Sequence, residues 1–232
     1  MDVKYFRPRK PGPEVKLEDA VVKQASLLFP NDSPTSWMAG SLPLGSSMPD
    51  LVIITYDPQI SILSSLEMPD AYILSYLRSV SRARINTISN RIRGPQEKIL
   101  QCLEVLVKAK AVLSNSSTYS LSPSWREILL EIITIEAKVK NWKSAVDQAV
   151  RNRAFAYRSY VALPDKIATR VKKETVFSRF GIGLLAVEDN DDVNIVRRAR
   201  RHQPRIWTYY YQLAFHSANH FREADKCHSL SL

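Results

Sequence analysis

The chain has 232 residues, 45% of them hydrophobic, and a formal net charge of +10 because 33 Lys and Arg outnumber 23 Asp and Glu. The mean hydropathy of -0.21 and this hydrophobic content exclude a disordered chain, and two cysteines exclude a disulfide framework. No apolar run reaches the length of a bilayer, so we expect no membrane association and a cytoplasmic location. The positive charge favours a polyanionic partner, and we expect this partner to be nucleic acid.

The first part of the chain is predicted to contain a flexible arm, a helix and the beginning of a sheet. Residues 1–13 are basic and rich in proline, and they lack the apolar core of a secretory signal. Apolar residues at helical spacing predict a helix over residues 14–29, which Pro30 ends. Apolar runs separated by turn residues predict strands over residues 36–44, 50–56 and 60–63.

A change in composition over residues 67–124 predicts an inserted module. Its helices are predicted over residues 70–77, 86–92 and 95–110, and a hairpin over residues 111–114 and 118–121. Three helices followed by a hairpin resemble a winged helix-turn-helix, whose third helix can enter a DNA groove. The candidate DNA-binding residues are Arg82, Arg84, Arg91, Arg93 and Lys98. The alternative is a solvated surface on a module that binds a protein.

Residues 14–66 and 125–232 are predicted to form a core around this module. Beyond the module, the expected strands are residues 128–138, 160–163 and 181–187, and the expected helices are residues 142–157 and 205–222. This mixed order of helices and strands predicts an α/β fold. Five arginines near the C-terminal end are expected either to bind phosphates or to form a helix face in water. They are Arg197, Arg198, Arg200, Arg201 and Arg205.

Two short patterns carry the candidate chemistry. Asp50 follows Pro49 at the start of a predicted strand, and Glu136-Ala137-Lys138 ends another. Residues two apart in a strand face the same side, so Glu136 and Lys138 are expected to project together. One or two carboxylates can hold a hydrated Mg²⁺ ion, and phosphodiester hydrolysis needs such a cation and an oriented water. The alternatives are an ordinary turn at Asp50 and a cross-strand ion pair at Glu136.

Pro49-Asp50 followed by Glu136-Ala137-Lys138 resembles the PD-(D/E)xK nuclease superfamily, which includes many restriction endonucleases and archaeal Holliday-junction resolvases. The resemblance implies a restriction-endonuclease-like core, that is, a mixed sheet flanked by helices. It also implies that Asp50, Glu136 and the carbonyl of Ala137 bind Mg²⁺, for which Mn²⁺ can substitute, and that Lys138 acts on the attacking water.

The same resemblance adds two residues on helices to the candidate site. Glu18, on the first helix, matches an acidic residue that many members use as a further metal or water ligand. Gln148 lies on the helix after the third strand, where several branches carry a glutamine that contacts the site or the DNA. The glutamine-tyrosine signature of helicase-linked nucleases is not complete, because Asn152 stands at the position of the tyrosine.

The sequence therefore predicts a Mg²⁺-dependent DNA endonuclease whose winged helix positions the DNA. A homodimer is expected if a single site per chain cuts both strands. The main alternative is a DNA-binding regulator that has a nuclease-like scaffold and does not cut. A third interpretation is a structural subunit whose inserted module binds another protein. The kind of nucleic acid and any recognition sequence stay open.

Overall fold

The computed structural model describes residues 3–9, 11–30, 35–67 and 70–229. The chain forms two compact units. The first unit consists of Met1–Thr55 and Glu131–Arg205, and the second unit consists of Tyr56–Leu130 and Ile206–Leu232. No described helix combines the length and the apolar character that are needed to cross a membrane.

The strands, in chain order, are β1 Val3–Tyr5, β2 Ser36–Gly40, β3 Leu51–Tyr56, β4 Ala83–Arg84, β5 Val112–Asn115, β6 Thr118–Leu121, β7 Leu129–Ala137, β8 Arg158–Pro164, β9 Gly183–Val187 and β10 Val193–Arg197. The helices are α1 Pro13–Leu28, α2 Ala71–Ser79, α3 Ile85–Ile92, α4 Gln96–Lys108, α5 Trp142–Asn152, α6 Asp165–Val171, α7 Thr175–Phe180 and α8 Trp207–Ser229. Short 3₁₀ helices cover Pro58–Ser65 and Pro123–Glu127.

The core of the first unit is a mixed sheet of seven strands in the order β1-β2-β3-β7-β8-β9-β10. The strands β7, β8 and β9 are parallel, whereas β2 pairs antiparallel with β3 and β10 pairs antiparallel with β9. Successive residues of β8 point to opposite faces: Tyr160 and Ala162 pack in the cluster with α1, and Val161 and Leu163 pack in the cluster with α5. Helices therefore cover both faces, and the predicted α/β class is confirmed.

The second unit combines helices with a small antiparallel sheet. The helices α2, α3 and α4 precede the hairpin of β5 and β6, and the sheet has the order β4-β6-β5. Helix α8 packs on α2 and on the 3₁₀ helix Pro58–Ser65. The buried Tyr210 of α8 accepts a hydrogen bond from the N–H of Leu129 at 2.8 Å and donates to the carbonyl of the same residue at 3.2 Å. The element order within residues 70–121 matches the predicted three helices and hairpin.

Several sequence predictions about the elements were wrong. Residues 60–63 lie in a 3₁₀ helix and not in a strand, because Asp57 caps a turn by accepting a hydrogen bond from the N–H of Gln59. The predicted flexible arm contains β1, which pairs parallel with β2. The ring of Tyr5 occupies the space that a β-carbon on Gly40 would take, so this pairing depends on a glycine. The helix predicted over residues 142–157 ends at Asn152.

The unit boundaries also differ from the predicted domains. The last helix, α8, groups with the second unit, whereas the sequence placed it in the core. The elements α6, α7 and β10 were not predicted. They are short, with seven, six and five residues, so a periodic pattern has little length over which to develop.

Candidate active site

The two sequence patterns meet at the adjacent strands β3 and β7. Asp50 directly precedes β3, and its Oδ2 accepts a hydrogen bond from the backbone N–H of Ala137 at 2.8 Å, although 87 positions separate the two residues in the chain. Glu136 is the preceding residue on β7. The structure thus brings Asp50 and the Glu136-Ala137-Lys138 segment together.

Lys138 directly follows β7. Its N–H donates to the carbonyl of Ala162 of β8 at 3.1 Å. The Nζ lies 3.6 Å from Oδ2 of Asp50 and 3.3 Å from Oε2 of Glu14. Burial alone would lower the pKa of Lys138, but the charges of Asp50 and Glu14 outweigh it and raise the pKa. The ammonium group therefore stays protonated at neutral pH.

Glu136 is a buried carboxylate with one oxygen unsatisfied. Its Oε1 accepts a hydrogen bond from Nδ2 of Asn152 at 2.6 Å, whereas the buried Oε2 has no hydrogen-bond partner among the described residues. Burial, and then repulsion by Asp50, raise the pKa of Glu136 to about 8. The pKa of Asp50 is also raised, because burial outweighs the opposing effects of Lys138 and of the Ala137 N–H. An uncompensated negative charge is therefore costly at this position.

Helix α1 contributes two carboxylates to the site, of which the sequence identified only one. Glu14 and Glu18 are four residues apart and lie on the same face of the helix. Burial, and then the charge of Asp50, raise the pKa of Glu18 to about 7. Oε2 of Glu18 lies 3.9 Å from Nη1 of Arg9. Glu14 contacts Lys138 directly, and its four-residue spacing from Glu18 is the sequence signal that could have found it.

Helix α5 contributes Asn152 to the site. Gln148 and Asn152 are four residues apart, so they share a face of the helix. The Oε1 of Gln148 is buried and has no hydrogen-bond partner among the described residues. It is Asn152, at the position of the missing tyrosine, that hydrogen-bonds Glu136. Sequence reasoning did not identify this role of Asn152.

The side chains present fit a divalent cation with two protein carboxylates. Within residues 3–9, 11–30, 35–67 and 70–222, no three Asp, Glu, His or Cys side chains are grouped so that they could hold a metal ion. The assignment of Glu18 as a further ligand, which the resemblance implies, stays a prediction. Mg²⁺ keeps several waters and needs only one or two carboxylates. A bound cation would give the unsatisfied Oε2 of Glu136 a partner. It would also offset the negative charges of Glu136 and Asp50, whose burial raises the pKa of both groups.

A cavity of about 460 Å³ lies beside the contact of Glu14 with Lys138. It is lined by residues 11–14 at the start of α1 and by residues 139–141 after β7. Lys140 supplies an exposed cation to this cavity.

All five candidate DNA-binding residues of the second unit are exposed. Arg82 and Arg84 precede α3, Arg91 lies in its last turn, and Arg93 caps its end with a left-handed backbone at φ 58. In the described part of the chain, these four guanidinium groups make no ion pair. Nζ of Lys98, in contrast, lies 3.1 Å from Oε2 of Glu67. The unpaired positive charge on this surface therefore comes mainly from the four arginines.

Comparisons of this chain with protein-family models, with curated proteins and with solved structures gave no match.

Proposed function

We propose that the chain is a metal-dependent DNA endonuclease that hydrolyses phosphodiester bonds. Asp50, Glu136 and Lys138 are the proposed catalytic residues. The observation that carries this proposal is the carboxylate of Asp50, which is bonded to the N–H of Ala137 and lies 3.6 Å from the protonated Lys138, while the preceding Glu136 keeps a buried oxygen without a partner among the described residues. The order of these residues along the chain and their place at β3 and β7 support the resemblance to the PD-(D/E)xK nucleases.

Each residue has a distinct part in the proposed mechanism. Asp50, Glu136 and the carbonyl of Ala137 would hold Mg²⁺ or Mn²⁺, which when bound supplies a positive charge to a nonbridging phosphate oxygen. The Ala137 N–H holds the Asp50 carboxylate at 2.8 Å, and Asn152 holds Glu136 at 2.6 Å. Lys138 donates its N–H groups to the attacking water or to the oxyanion that forms, and thereby stabilises developing negative charge.

The second unit would position the DNA. Its three helices and hairpin follow the order of a winged helix-turn-helix, and its exposed arginines suit phosphate contacts. A homodimer would allow a single site per chain to cut both strands of a duplex.

The test of this function is the cleavage of supercoiled and linear DNA in the presence of Mg²⁺ or Mn²⁺. We expect wild-type protein to cut and to leave a 5′-phosphate and a 3′-hydroxyl. We expect Lys138→Ala to lower the initial rate by about a hundredfold or more, because water orientation and charge stabilisation are lost. Lys173→Ala removes the same charge from an exposed position on the first unit and is the matched control. Equal rates for wild type, Lys138→Ala and Lys173→Ala would remove Lys138 from the mechanism.

Asn152→Ala tests the positioning of Glu136. The substitution leaves both oxygens of the buried carboxylate without a hydrogen bond, so the carboxylate is no longer held for the cation. We expect the rate to fall by about ten- to a hundredfold and the Mg²⁺ concentration at half-maximal rate to rise. Cleavage rates measured over a Mg²⁺ titration give both quantities. A lower rate with an unchanged Mg²⁺ requirement would contradict this role.

The four exposed arginines of the second unit favour one further candidate, a DNA-binding regulator that does not cut. It requires salt-sensitive DNA binding by a protein that shows no cleavage with either metal. A structural subunit that binds another protein would instead show weak DNA affinity with little dependence on salt.

A further inference from the structure

Residues 198–205, which follow β10, hold several arginines in a fixed position without regular secondary structure. The backbone N–H groups of Arg200, His202 and Arg205 donate to the carbonyls of Gly181, Tyr157 and Ala154 at 3.0, 3.0 and 2.8 Å. The alternative that the five arginines form a helix face was wrong, because Arg197 ends β10 and the other four follow it. They are instead displayed from an irregular segment that is tied at three points to the first unit.

One arginine of the segment is anchored to the protein. The Nε of Arg201 lies 3.6 Å from Oε2 of Glu131, and its guanidinium group lies 3.9 Å from the ring centroid of Tyr157. Its neighbour Arg200 is exposed, as is Arg205. The segment thus uses Arg201 for attachment and leaves Arg200 and Arg205 open to solvent.

Arg153, which caps the end of α5, lies near Arg200 and Arg205. The N–H of Arg205 donates to the carbonyl of Ala154 at 2.8 Å, and Nδ1 of His202 lies 3.4 Å from the carbonyl of Arg200. Burial, and then the charges of Arg205 and Arg200, lower the pKa of Arg153. The Nε of Arg153 donates to Nε2 of His202 at 3.3 Å, and burial followed by the charge of Arg153 lowers the pKa of His202, which keeps the ring neutral. No carboxylate lies within ion-pair distance of Arg153, Arg200 or Arg205 in the described part of the chain.

This concentration of positive charge lies on the first unit toward the start of β7, and the proposed catalytic residues lie toward the end of the same strand. Arg153 directly follows Asn152, whose side chain hydrogen-bonds Glu136, and consecutive Cα atoms are about 3.8 Å apart. The charge of Arg151 also acts on Glu136. The repulsion between these like charges opposes folding. Binding to the phosphates of a nucleic acid neutralises the charges and releases condensed counterions from the nucleic acid, which favours binding. The planar guanidinium group also matches phosphate oxygens in two parallel hydrogen bonds.

We propose that Arg153, Arg200 and Arg205 form a phosphate-binding surface, here called the arginine surface, that holds the backbone of the nucleic acid on the first unit. This inference rests on the proposed nuclease function. The arginine surface gives the first unit its own contact with the nucleic-acid backbone, independent of the exposed arginines of the second unit.

The experiment measures the binding of a short DNA duplex by fluorescence anisotropy in EDTA, so that no cleavage occurs. The affinity is followed between about 50 and 200 mM KCl for wild type and for the Arg200→Ala/Arg205→Ala variant. Loss of two phosphate contacts is expected to reduce the slope of log K against log salt by about 1.8, at about 0.9 per contact. Lys172→Ala/Lys173→Ala removes the same net charge from exposed positions and is expected to leave the slope unchanged.

A conservative variant and a second ligand complete the test. Arg200→Lys/Arg205→Lys keeps both charges and is expected to retain the wild-type slope. An unchanged slope for Arg200→Ala/Arg205→Ala overturns the arginine surface, as does an equal loss in the lysine control. Loss of binding to phosphatidylserine vesicles without loss of duplex binding also overturns it, in favour of a lipid surface. The proposed nuclease function fails separately, if wild type binds DNA with the expected slope but cuts none with Mg²⁺ or Mn²⁺.

Discussion

Glu136→Gln is expected to lower the rate of Mg²⁺-dependent DNA cleavage by about a thousandfold or more, a larger loss than is expected for Lys138→Ala or Asn152→Ala. Glutamine has nearly the same shape, and its carbonyl oxygen can still accept the hydrogen bond from Asn152. It replaces the unsatisfied Oε2 with an amide that cannot bind a cation and removes the negative charge. The measurement is the initial rate of conversion of supercoiled plasmid to nicked and linear forms at saturating Mg²⁺.

Glu174→Gln is the matched control for this prediction. It makes the same change of a carboxylate to an amide at an exposed position on the first unit, away from the residues of the candidate site. We expect this variant to cleave at a rate close to that of wild type. Cleavage by Glu136→Gln at the rate of the Glu174→Gln control would show that Glu136 is not a ligand.

The second large effect is expected on stability in the absence of divalent cations. The pKa of Glu136 is raised from 4.5 to about 8 by burial and then by Asp50, so the folded chain binds this proton more strongly than the unfolded chain does. The resulting stabilisation is complete below pH 4.5 and is lost as the pH rises through about 8. The free energy of unfolding should therefore fall by a few kcal/mol over this range. Urea unfolding in EDTA at a series of pH values measures it.

Glu136→Gln cannot ionise, so its free energy of unfolding should depend much less on pH over the same range. Glu18, with a pKa raised to about 7 by burial and then by Asp50, leaves a smaller dependence in the variant. At pH 8, added Mg²⁺ should stabilise wild type, because a ligand that binds only the folded state raises its stability, and should have little effect on Glu136→Gln. The interpretation of Glu136 is wrong if wild type and variant lose stability in parallel as the pH rises.

The sequence identified most residues of the candidate site but few of the contacts between them. An apolar run identified the strand after Asp50. Strand periodicity predicted that Glu136 and Lys138 project to the same side, whereas in the structure Glu136 contacts α5 and Lys138 contacts α1. Nothing in the periodicity indicated that β3 and β7 are neighbours, because the pairing of distant strands depends on the whole sheet. The resemblance to known nucleases supplied that expectation.

The contacts of Glu14 and Asn152 could not be derived because they depend on how α1 and α5 are rotated against the sheet. The four-residue spacings from Glu18 and Gln148 indicate shared helix faces, but a shared face does not specify a partner. Similarly, β1 is too short to predict from alternation, and its place in the sheet requires the ring of Tyr5 to pack over Gly40. The grouping of α8 with the second unit depends on contacts such as that of Tyr210 with Leu129.

The most direct test of the proposed metal site is a crystal of the wild-type protein soaked in MnCl₂ and examined by anomalous diffraction. We expect a peak in contact with Asp50, Oε2 of Glu136 and the carbonyl of Ala137, because Asp50 is held at the Ala137 N–H and the buried Oε2 of Glu136 has no hydrogen-bond partner among the described residues. The same soak of Glu136→Gln should show no peak there. Manganese bound elsewhere in the wild-type crystal, with none at these three groups, would contradict the account.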